Sequence, residues 1–223
     1  MNKSALPEPP PANVSHTVGP PHLLVFARVP ALGRAKSRLA ATVGPAAALA
    51  VYQELLAHTR AAVGATNLPA TVWLADTTGP VPTPAEAADW PNLAVRAQAD
   101  GDLGQRMAAA FAAAFAAGAG RVVIIGTDCP GLQAIHLIQA IALLVDHDLV
   151  LGPAADGGYY LLGLRQPQPE LFAHKNWSTA SVLTETLVDA QRLGLRTTLL
   201  PELRDVDTAA DLAAWRAATS ARV

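Results

Sequence analysis

Short runs of aliphatic residues alternate along the chain with longer segments that are rich in alanine and leucine. This alternation is typical of a mainly parallel sheet that is covered by helices. The pattern predicts seven strands, at residues 22–28, 70–76, 93–98, 121–128, 148–154, 158–164 and 196–203.

The segments between these runs have the periodicity and the propensity of helices. Gly118 and Gly194 lie where a glycine commonly ends a helix. The proline-rich stretch 77–91 is expected to be an exposed connection with at most one short helix. We therefore predict one three-layer α/β/α domain with a Rossmann-like, mixed and mainly parallel sheet. Its predicted helices are 45–63, 103–118, 132–145, 178–194 and 207–219.

The first 21 residues contain six prolines and no long apolar run. Such a segment neither completes a helix nor buries enough apolar surface to order itself. We expect a flexible tail over residues 1–21 and a single domain over residues 22–223, with a polyproline ligand for a partner domain as the alternative for the tail. Without a secretory h-region or an apolar span of about 20 residues, we expect neither secretion nor a membrane span.

The composition narrows the classes of partner. Charged residues make up 15% of the chain and the net charge is −2, so no basic field is available to hold a nucleic-acid backbone. A free nucleotide stays possible because it needs only one local pocket. The single cysteine forms no internal disulfide, and we expect a cytoplasmic protein. The oligomeric state is left open.

The loop after the first predicted strand carries the first candidate chemistry. Gly33 allows the backbone to approach a ligand closely. Lys36 and Arg38 place cations at the start of a helix, an arrangement that a bound phosphate would stabilise. The alternative is a solvated basic loop. The other two lysines of the chain, Lys3 and Lys175, are expected to be exposed.

Asp128 ends the most aliphatic predicted strand, where the ligand crevice of a doubly wound sheet lies. A carboxylate there can reach a metal cation and, through it, the phosphates of a nucleotide. The alternative is a turn aspartate that caps the next segment. The adjacent Cys129 has no histidine placed to activate it, so we expect it to be a packing residue.

Two acidic motifs lie near the C-terminal half of the chain. Asp205 and Asp207 are two residues apart on an extended segment, so they are expected to share a face. One or both complete a metal shell in this interpretation, and which of them binds the metal is left open. Capping of the last helix is the alternative for Asp207. Asp156, Gly157 and Gly158 form a turn between two strands, and a structural turn accounts for both glycines.

The alanine-rich helix predicted after the third strand opens with Asp102, Gly104 and Arg106. Helix capping is the favoured role of Asp102, whereas Arg106 is a candidate contact to a phosphate or a base. The six histidines show no metal-ligand spacing, and His136 is expected to be a satisfied core residue.

Several of these motifs together resemble one known family. They resemble a DUF2064-like family of small GT-A-type transferases, described as glycosyltransferase-like proteins associated with radical-SAM and selenodomain proteins, with some members linked to arsenosugar biosynthesis. More distantly, the chain is similar to molybdenum-cofactor and 2-phospholactate nucleotidyltransferases. The residues that carry the resemblance are 26–39, 98–107, 126–131, 156–164, 176–179 and 205–212.

The resemblance implies a GT-A-like nucleotide-diphospho-sugar transferase fold and a divalent cation, Mg²⁺ or Mn²⁺. Asp128 matches the metal-binding aspartate of GT-A enzymes, and the turn at Asp156 is implied to line the acceptor or sugar pocket, with Asp156 as a base. Arg28 and Ser37 depart from the more common lysine and threonine. The expected nucleotide-binding residues are Ala27, Arg28, Gly33, Lys36, Arg38, Asp102 and Arg106. The expected substrate-binding residues are Gly157 and Gly158. The expected metal ligands are Asp128, Asp205 and Asp207.

The resulting hypothesis is a glycosyltransferase that moves a sugar from a nucleotide to a small-molecule acceptor, with the metal neutralising the leaving nucleotide. A nucleotidyltransferase that acts on a nucleoside triphosphate and releases pyrophosphate is the first alternative. A non-catalytic nucleotide-binding protein is the second. The sugar, base and acceptor depend on the shape of the pocket and are left open.

Overall fold

A computed structural model describes residues 19–220 of the chain. Its centre is one sheet of seven strands, which confirms the predicted number of strands and the mixed, mainly parallel sheet. The segment 1–18, most of the predicted tail, lies outside the described residues. The strands are β1 Pro21–Arg28, β2 Ala70–Ala75, β3 Ala94–Ala97, β4 Arg121–Ile125, β5 Leu149–Pro153, β6 Tyr159–Leu164 and β7 Thr197–Leu199.

Residues 19–220 form six α-helices and one 3-10 helix, Pro169–Phe172, and all of these except the last α-helix lie between strands. The helical region that follows the first loop is divided, because Gly44 adopts a φ of 84° and Pro45 begins the next helix. The α-helices are α1 Ser37–Val43, α2 Pro45–Gly64, α3 Leu103–Ala116, α4 Ala134–Leu143, α5 Val182–Arg192 and α6 Ala209–Ser220. None of the described helices is long and apolar enough to cross a membrane.

The strand order is β3-β2-β1-β4-β6-β5-β7, and β6 alone runs antiparallel to its neighbours. Val25 of β1 pairs with Val72 of β2 on one side and with Ile125 of β4 on the other. The chain leaves β1 toward β2 and returns later on the opposite side of β1 as β4. The carboxyl ends of β1 and β4 therefore form a topological switch point, where open α/β sheets bind ligands.

Alternate residues of the strands pack on opposite faces of the sheet. Leu23 and Val25 face a core cluster that includes residues of α2 and α4, whereas Leu24 faces a cluster that includes residues of α3. A smaller cluster around Leu39 and Val206 joins α1, α2 and the start of α6. The three-layer architecture follows from these two buried faces.

The connection 77–91 is mainly exposed, as expected, but two of its residues are buried, and so is Lys175, which was expected to be exposed. In the connection 77–91, Trp90 is buried in the core and Glu86 accepts hydrogen bonds from the backbone of Thr78 and Thr83, both at 2.7 Å. Lys175 is also buried, because it pairs with Asp189 of α5. The composition of a short segment does not reveal the distant residues against which its side chains pack.

Gly157 offers a test of the turn between β5 and β6. Its φ is 89°, and a Cβ there would lie 2.2 Å from the carbonyl oxygen of Ala180. We expect Gly157→Ala to lower the free energy of unfolding by about 2 to 4 kcal/mol, measured by urea denaturation. Gly158→Ala is the matched control. Its Cβ would meet only the flexible carboxylate of Asp156 at 3.2 Å, and it should cost less than about 1 kcal/mol. Equal losses in the two variants would contradict the account.

Candidate functional site

A cleft of about 750 Å³ opens at the carboxyl ends of β1 and β4. Its size suits a nucleotide or another small ligand. One wall, which we call the charged wall, comes from residues 34–38 at the start of α1, together with Asp128 and Asp207. The opposite side comes from the start of α3, Tyr159 and residues 177–178. Its apolar part, formed by Met107, Tyr159 and Trp177, is called the apolar wall.

Lys36 forms the centre of the charged wall. Its ammonium lies 2.5 Å from Oδ1 of Asp128 and 2.8 Å from Oδ1 of Asp207, and its side chain is 5% exposed. Three residues that the sequence singled out separately therefore meet at one point, although 171 positions separate Lys36 from Asp207.

The backbone of Lys36 is left-handed, with a φ of 53°. A non-glycine residue rarely adopts this conformation, and it persists where the surroundings hold it. Burial alone would lower the pKa of Lys36, but the charges of Asp128 and Asp207 and their hydrogen bonds outweigh it and raise the pKa. The ammonium is therefore charged throughout the physiological range.

Asp207 is held on both oxygens, because Oδ1 accepts from Lys36 and Oδ2 accepts from Arg38. The cap of α6 is formed by other residues. The hydroxyl of Thr208 accepts from the backbone of Asp211 at 3.2 Å, and the carboxylate of Asp211 accepts from the backbone of Thr208 at 2.8 Å. The capping alternative for the Asp207 side chain is thus wrong, and its carboxylate is committed to the cleft.

Asp128 follows β4, and its carbonyl oxygen accepts a hydrogen bond of 3.0 Å from the backbone of Val206. This bond joins the end of β4 to the segment that carries Asp207. Among the described residues, the side chain of Asp128 accepts no backbone hydrogen bond and pairs with Lys36, so the turn-cap alternative is not found. Half of this side chain is exposed, which leaves it accessible to a ligand.

Asp205 does not share a face with Asp207, contrary to expectation. Asp205 lines a second groove between α2, α4 and α6, whereas Asp207 lines the first cleft. The two-residue period of a strand fails here because the ladder ends at the bridge between Leu203 and Ala154, beyond which the chain is irregular. Burial first, and then the charge of Asp156, raises the pKa of Asp205.

The turn at Asp156 is a local structure. Oδ1 of Asp156 accepts from the backbone of Gly158 at 2.9 Å, and the carbonyl of Gly157 accepts from Leu183 at 3.0 Å. None of the residues 156–158 lines the cleft, although the turn lies at the same edge of the sheet. The structure thus does not bring these residues together with Lys36.

The first turn of α3 bears out the capping of Asp102. Its carboxylate and the side chain of Gln105 form a reciprocal capping box, with both hydrogen bonds at 2.9 Å. Arg106 donates from Nε to the carbonyl of Gly101 at 2.8 Å, which fixes the base of the guanidinium and leaves its two terminal nitrogens available. Asp102 and Arg106 both line the cleft.

The remaining predicted nucleotide-binding residues lie along the end of β1. Arg28 lines the cleft and binds Asp76 at 2.7 Å, and the carbonyl of Ala27 accepts from the amide of Gln98 at 3.4 Å. Gly33 adopts a φ of 76° but does not itself line the cleft. It lies in the turn that precedes Lys36.

Sequence reasoning gave no role to several residues of the cleft. Tyr52 accepts from the backbone N–H of Arg28 at 2.8 Å and donates to the carbonyl of Arg28 at 3.1 Å. It lies inside α2, so no local signal marks it. Trp177 and Ser178 belong to a motif that carried the resemblance, but neither was assigned a function.

The described lining contains more cations than carboxylates, with five against three. The cleft therefore favours an anionic ligand. The cations are Arg28, Arg34, Lys36, Arg38 and Arg106, and the carboxylates are Asp102, Asp128 and Asp207.

The acidic residues fit a metal only in part. Residues 19–220 contain no group of three or more histidine, cysteine or acidic side chains arranged to hold an ion. Mg²⁺ is commonly held by one or two carboxylates together with phosphates and water. Asp128 and Asp207 supply two carboxylates of this kind on the charged wall.

Cys129 is buried in the core, as expected. Burial, and secondarily the charge of Asp128, raises the pKa of its thiol. The thiol is therefore protonated and unreactive at neutral pH.

Lys36 should matter to stability more than its neighbour Arg38. Lys36→Met removes the cation between two carboxylates and should lower the free energy of unfolding by about 1 to 3 kcal/mol. Arg38→Met is the control, because its side chain is 69% exposed and the loss should stay below about 1 kcal/mol. Urea unfolding at neutral pH measures both. A larger loss in Arg38→Met would show that Lys36 is not the central contact.

Solved structures share the fold. A candidate nucleotide-diphospho-sugar transferase from Desulfovibrio desulfuricans is 32% identical, with a TM-score of 0.80 over 86% of this chain and 84% of that one. CMP:2-keto-3-deoxy-manno-octonic acid synthetase, solved with CTP, is 14% identical, with a TM-score of 0.55 over 92% of this chain and 100% of that one. Rv0371c of Mycobacterium tuberculosis, solved with manganese, is 17% identical, with a TM-score of 0.54 over 87% of this chain and 96% of that one.

No curated protein matches the sequence. Residues 57–179 match the model of a family described as uncharacterized proteins conserved in bacteria, DUF2064. This match spans more than half of the chain and agrees with the likeness to the Desulfovibrio protein. The chain belongs to the DUF2064 family.

Proposed function

We propose that this protein is a metal-dependent glycosyltransferase that uses a nucleotide-activated sugar as donor. The observation that carries the proposal is the meeting of Lys36, Asp128 and Asp207 in a cationic cleft at the switch point of the sheet. The name of the Desulfovibrio protein, a candidate nucleotide-diphospho-sugar transferase, supports the same class of reaction.

The phosphates of the donor are assigned to cations that are not fully engaged. Within residues 19–220, Arg34 and Arg106 line the cleft without a carboxylate partner, and Arg38 is largely exposed. Two carboxylates engage Lys36, so its main part is to fix their positions and to lend positive charge to the wall. Guanidinium groups bind phosphate oxygens in a bidentate manner.

The metal is assigned to Asp128, with Asp207 beside it. Asp128 is half exposed and one of its oxygens is not bound to Lys36, whereas both oxygens of Asp207 are engaged. A divalent cation would neutralise the charge that develops on the leaving nucleotide. Manganese in the Mycobacterium protein supports this choice of ion. Asp205, in the other groove, is the weaker of the predicted ligands.

Asp156 keeps its proposed part as the base toward the acceptor, and Gly157 and Gly158 as the turn that presents it. The exposed carboxylate of Asp156 lies at the edge of the sheet that carries the cleft. Acid–base catalysis of this kind contributes about 10²- to 10⁴-fold to a rate. Asp156→Asn should therefore reduce turnover strongly and leave the affinity for the nucleotide unchanged.

Nucleotidyl transfer is the second candidate. The same cleft could hold a nucleoside triphosphate, and the fold neighbours include an enzyme solved with CTP and an inositol-1-phosphate CTP transferase. Release of pyrophosphate from a triphosphate and a sugar phosphate would favour this reaction. Release of a nucleoside diphosphate from a nucleotide-sugar would favour glycosyl transfer.

A ligand that binds only the folded state raises the free energy of unfolding by about 2.7 kcal/mol when its concentration is 100 times its Kd, and the melting temperature rises with it. We expect nucleoside diphosphates and nucleotide-sugars to stabilise the wild type, and Mn²⁺ to increase the effect. Asp128→Asn should abolish the increment that depends on Mn²⁺. Asp146→Asn, an exposed aspartate after α4, is the matched control and should retain it.

The outcomes separate the proposals. Stabilisation that depends neither on Mn²⁺ nor on Asp128 would indicate a nucleotide-binding protein without catalysis. If Asp205→Asn loses as much of the Mn²⁺-dependent stabilisation as Asp128→Asn does, Asp205 is a metal ligand of equal weight. An absence of binding and of slow hydrolysis across the nucleotide-sugars would refute the proposal.

A further inference from the structure

The apolar wall contains an aromatic residue without an assigned role. Trp177 lies in the segment 173–181, which joins the 3-10 helix to α5 and which we call the Trp177 segment. Its indole packs directly on Gly104, where a Cβ would come within 2.5 Å of the ring. Trp177, Met107 and Tyr159 line the cleft together. The wall opposite Lys36 is thus built to present an aromatic surface.

The Trp177 segment is held in an unusual conformation. His174 and Ser178 have φ angles of 56° and 65°, which non-glycine residues seldom adopt. The segment also packs closely against the turn at Gly157. A Cβ on Gly157 would collide with the carbonyl of Ala180. Such a conformation persists only where the surroundings determine it.

An ion pair with a buried lysine ties the segment to its neighbours. The side chain of Lys175 is 1% exposed and pairs with Asp189 of α5. Asp189 also accepts from Arg192 at 3.4 Å, and Arg192 binds Glu170 of the 3-10 helix at 3.1 Å. A buried ion pair seldom adds net stability over an apolar pair, but it can specify one arrangement. Here it joins the 3-10 helix, the Trp177 segment and α5.

The indole is fixed by packing alone, since its N–H has no hydrogen-bond partner among the described residues. Ser178, next to it, is a hydroxyl-bearing residue that lines the same cleft. An aromatic face beside a hydroxyl suits a sugar ring, whose faces carry C–H groups and whose rim carries hydroxyls. The charged wall offers no comparable apolar surface.

We propose that Trp177 is the surface on which the sugar ring of the nucleotide-sugar binds, and that Lys175 is the positioning residue that holds Trp177 there. This inference rests on the proposed function and assigns the sugar to the apolar wall. The diphosphate lies toward the charged wall.

The test is calorimetric titration with ADP, GDP, UDP and CDP and with their glucose conjugates, all in the presence of Mn²⁺. In the wild type, the glucose conjugate of the preferred nucleotide should bind about fivefold more tightly than the diphosphate. Trp177→Ala should remove this gain and change the affinity for the diphosphate less than about twofold, whereas Trp177→Phe should keep part of it. Trp215→Ala, in the other groove, should keep all of it.

Lys175→Met should lose the same gain, and Lys175→Arg should restore it, because a cation again reaches Asp189. A merely structural role would lower the affinities for the diphosphate and its conjugate equally. Equal losses of this kind would overturn this inference but not the proposed function. The same holds if Trp177→Ala retains the gain in affinity, or if glucose gives no gain in the wild type. Failure of every diphosphate to bind the wild type would overturn the proposed function and this inference together.

Discussion

The contact of one ammonium with two carboxylates organises the cleft. Lys36 comes from the loop after β1, Asp128 from the end of β4 and Asp207 from the segment before α6. Two carboxylates that approach each other repel, and each pays a desolvation cost. A buried cation between them offsets both effects. The positions of three distant chain segments are therefore fixed by one electrostatic requirement.

The two walls divide the chemistry of the cleft. The helices on one face of the sheet bring charge, whereas α3 and the Trp177 segment on the other face bring apolar and aromatic surface. Both walls converge on the edge where β1 and β4 end because the strand order reverses there. A ligand with an anionic part and a ring can contact both walls at once. The proposed nucleotide-sugar is such a molecule.

The strands could be predicted because a buried parallel strand has to be aliphatic along its whole length. The position of Asp128 in the cleft could be predicted because the end of such a strand borders the crevice. The shared face of Asp205 and Asp207 was wrongly predicted, since the two-residue period holds only inside a ladder and the ladder ends at Leu203. Lys175 and Tyr52 depend on partners 14 and 24 positions away. No local pattern contains that information.

The bond between Lys36 and Asp207 also bears on how the molecule reaches its native state. A ribosome releases the amino-terminal part of a chain first, so β1 and its loop emerge long before residue 207. Until then the ammonium of Lys36 lacks one of its two partners, and contacts of such long sequence separation form late because closing the loop costs entropy. The charged wall is consequently complete only after residue 207 has emerged.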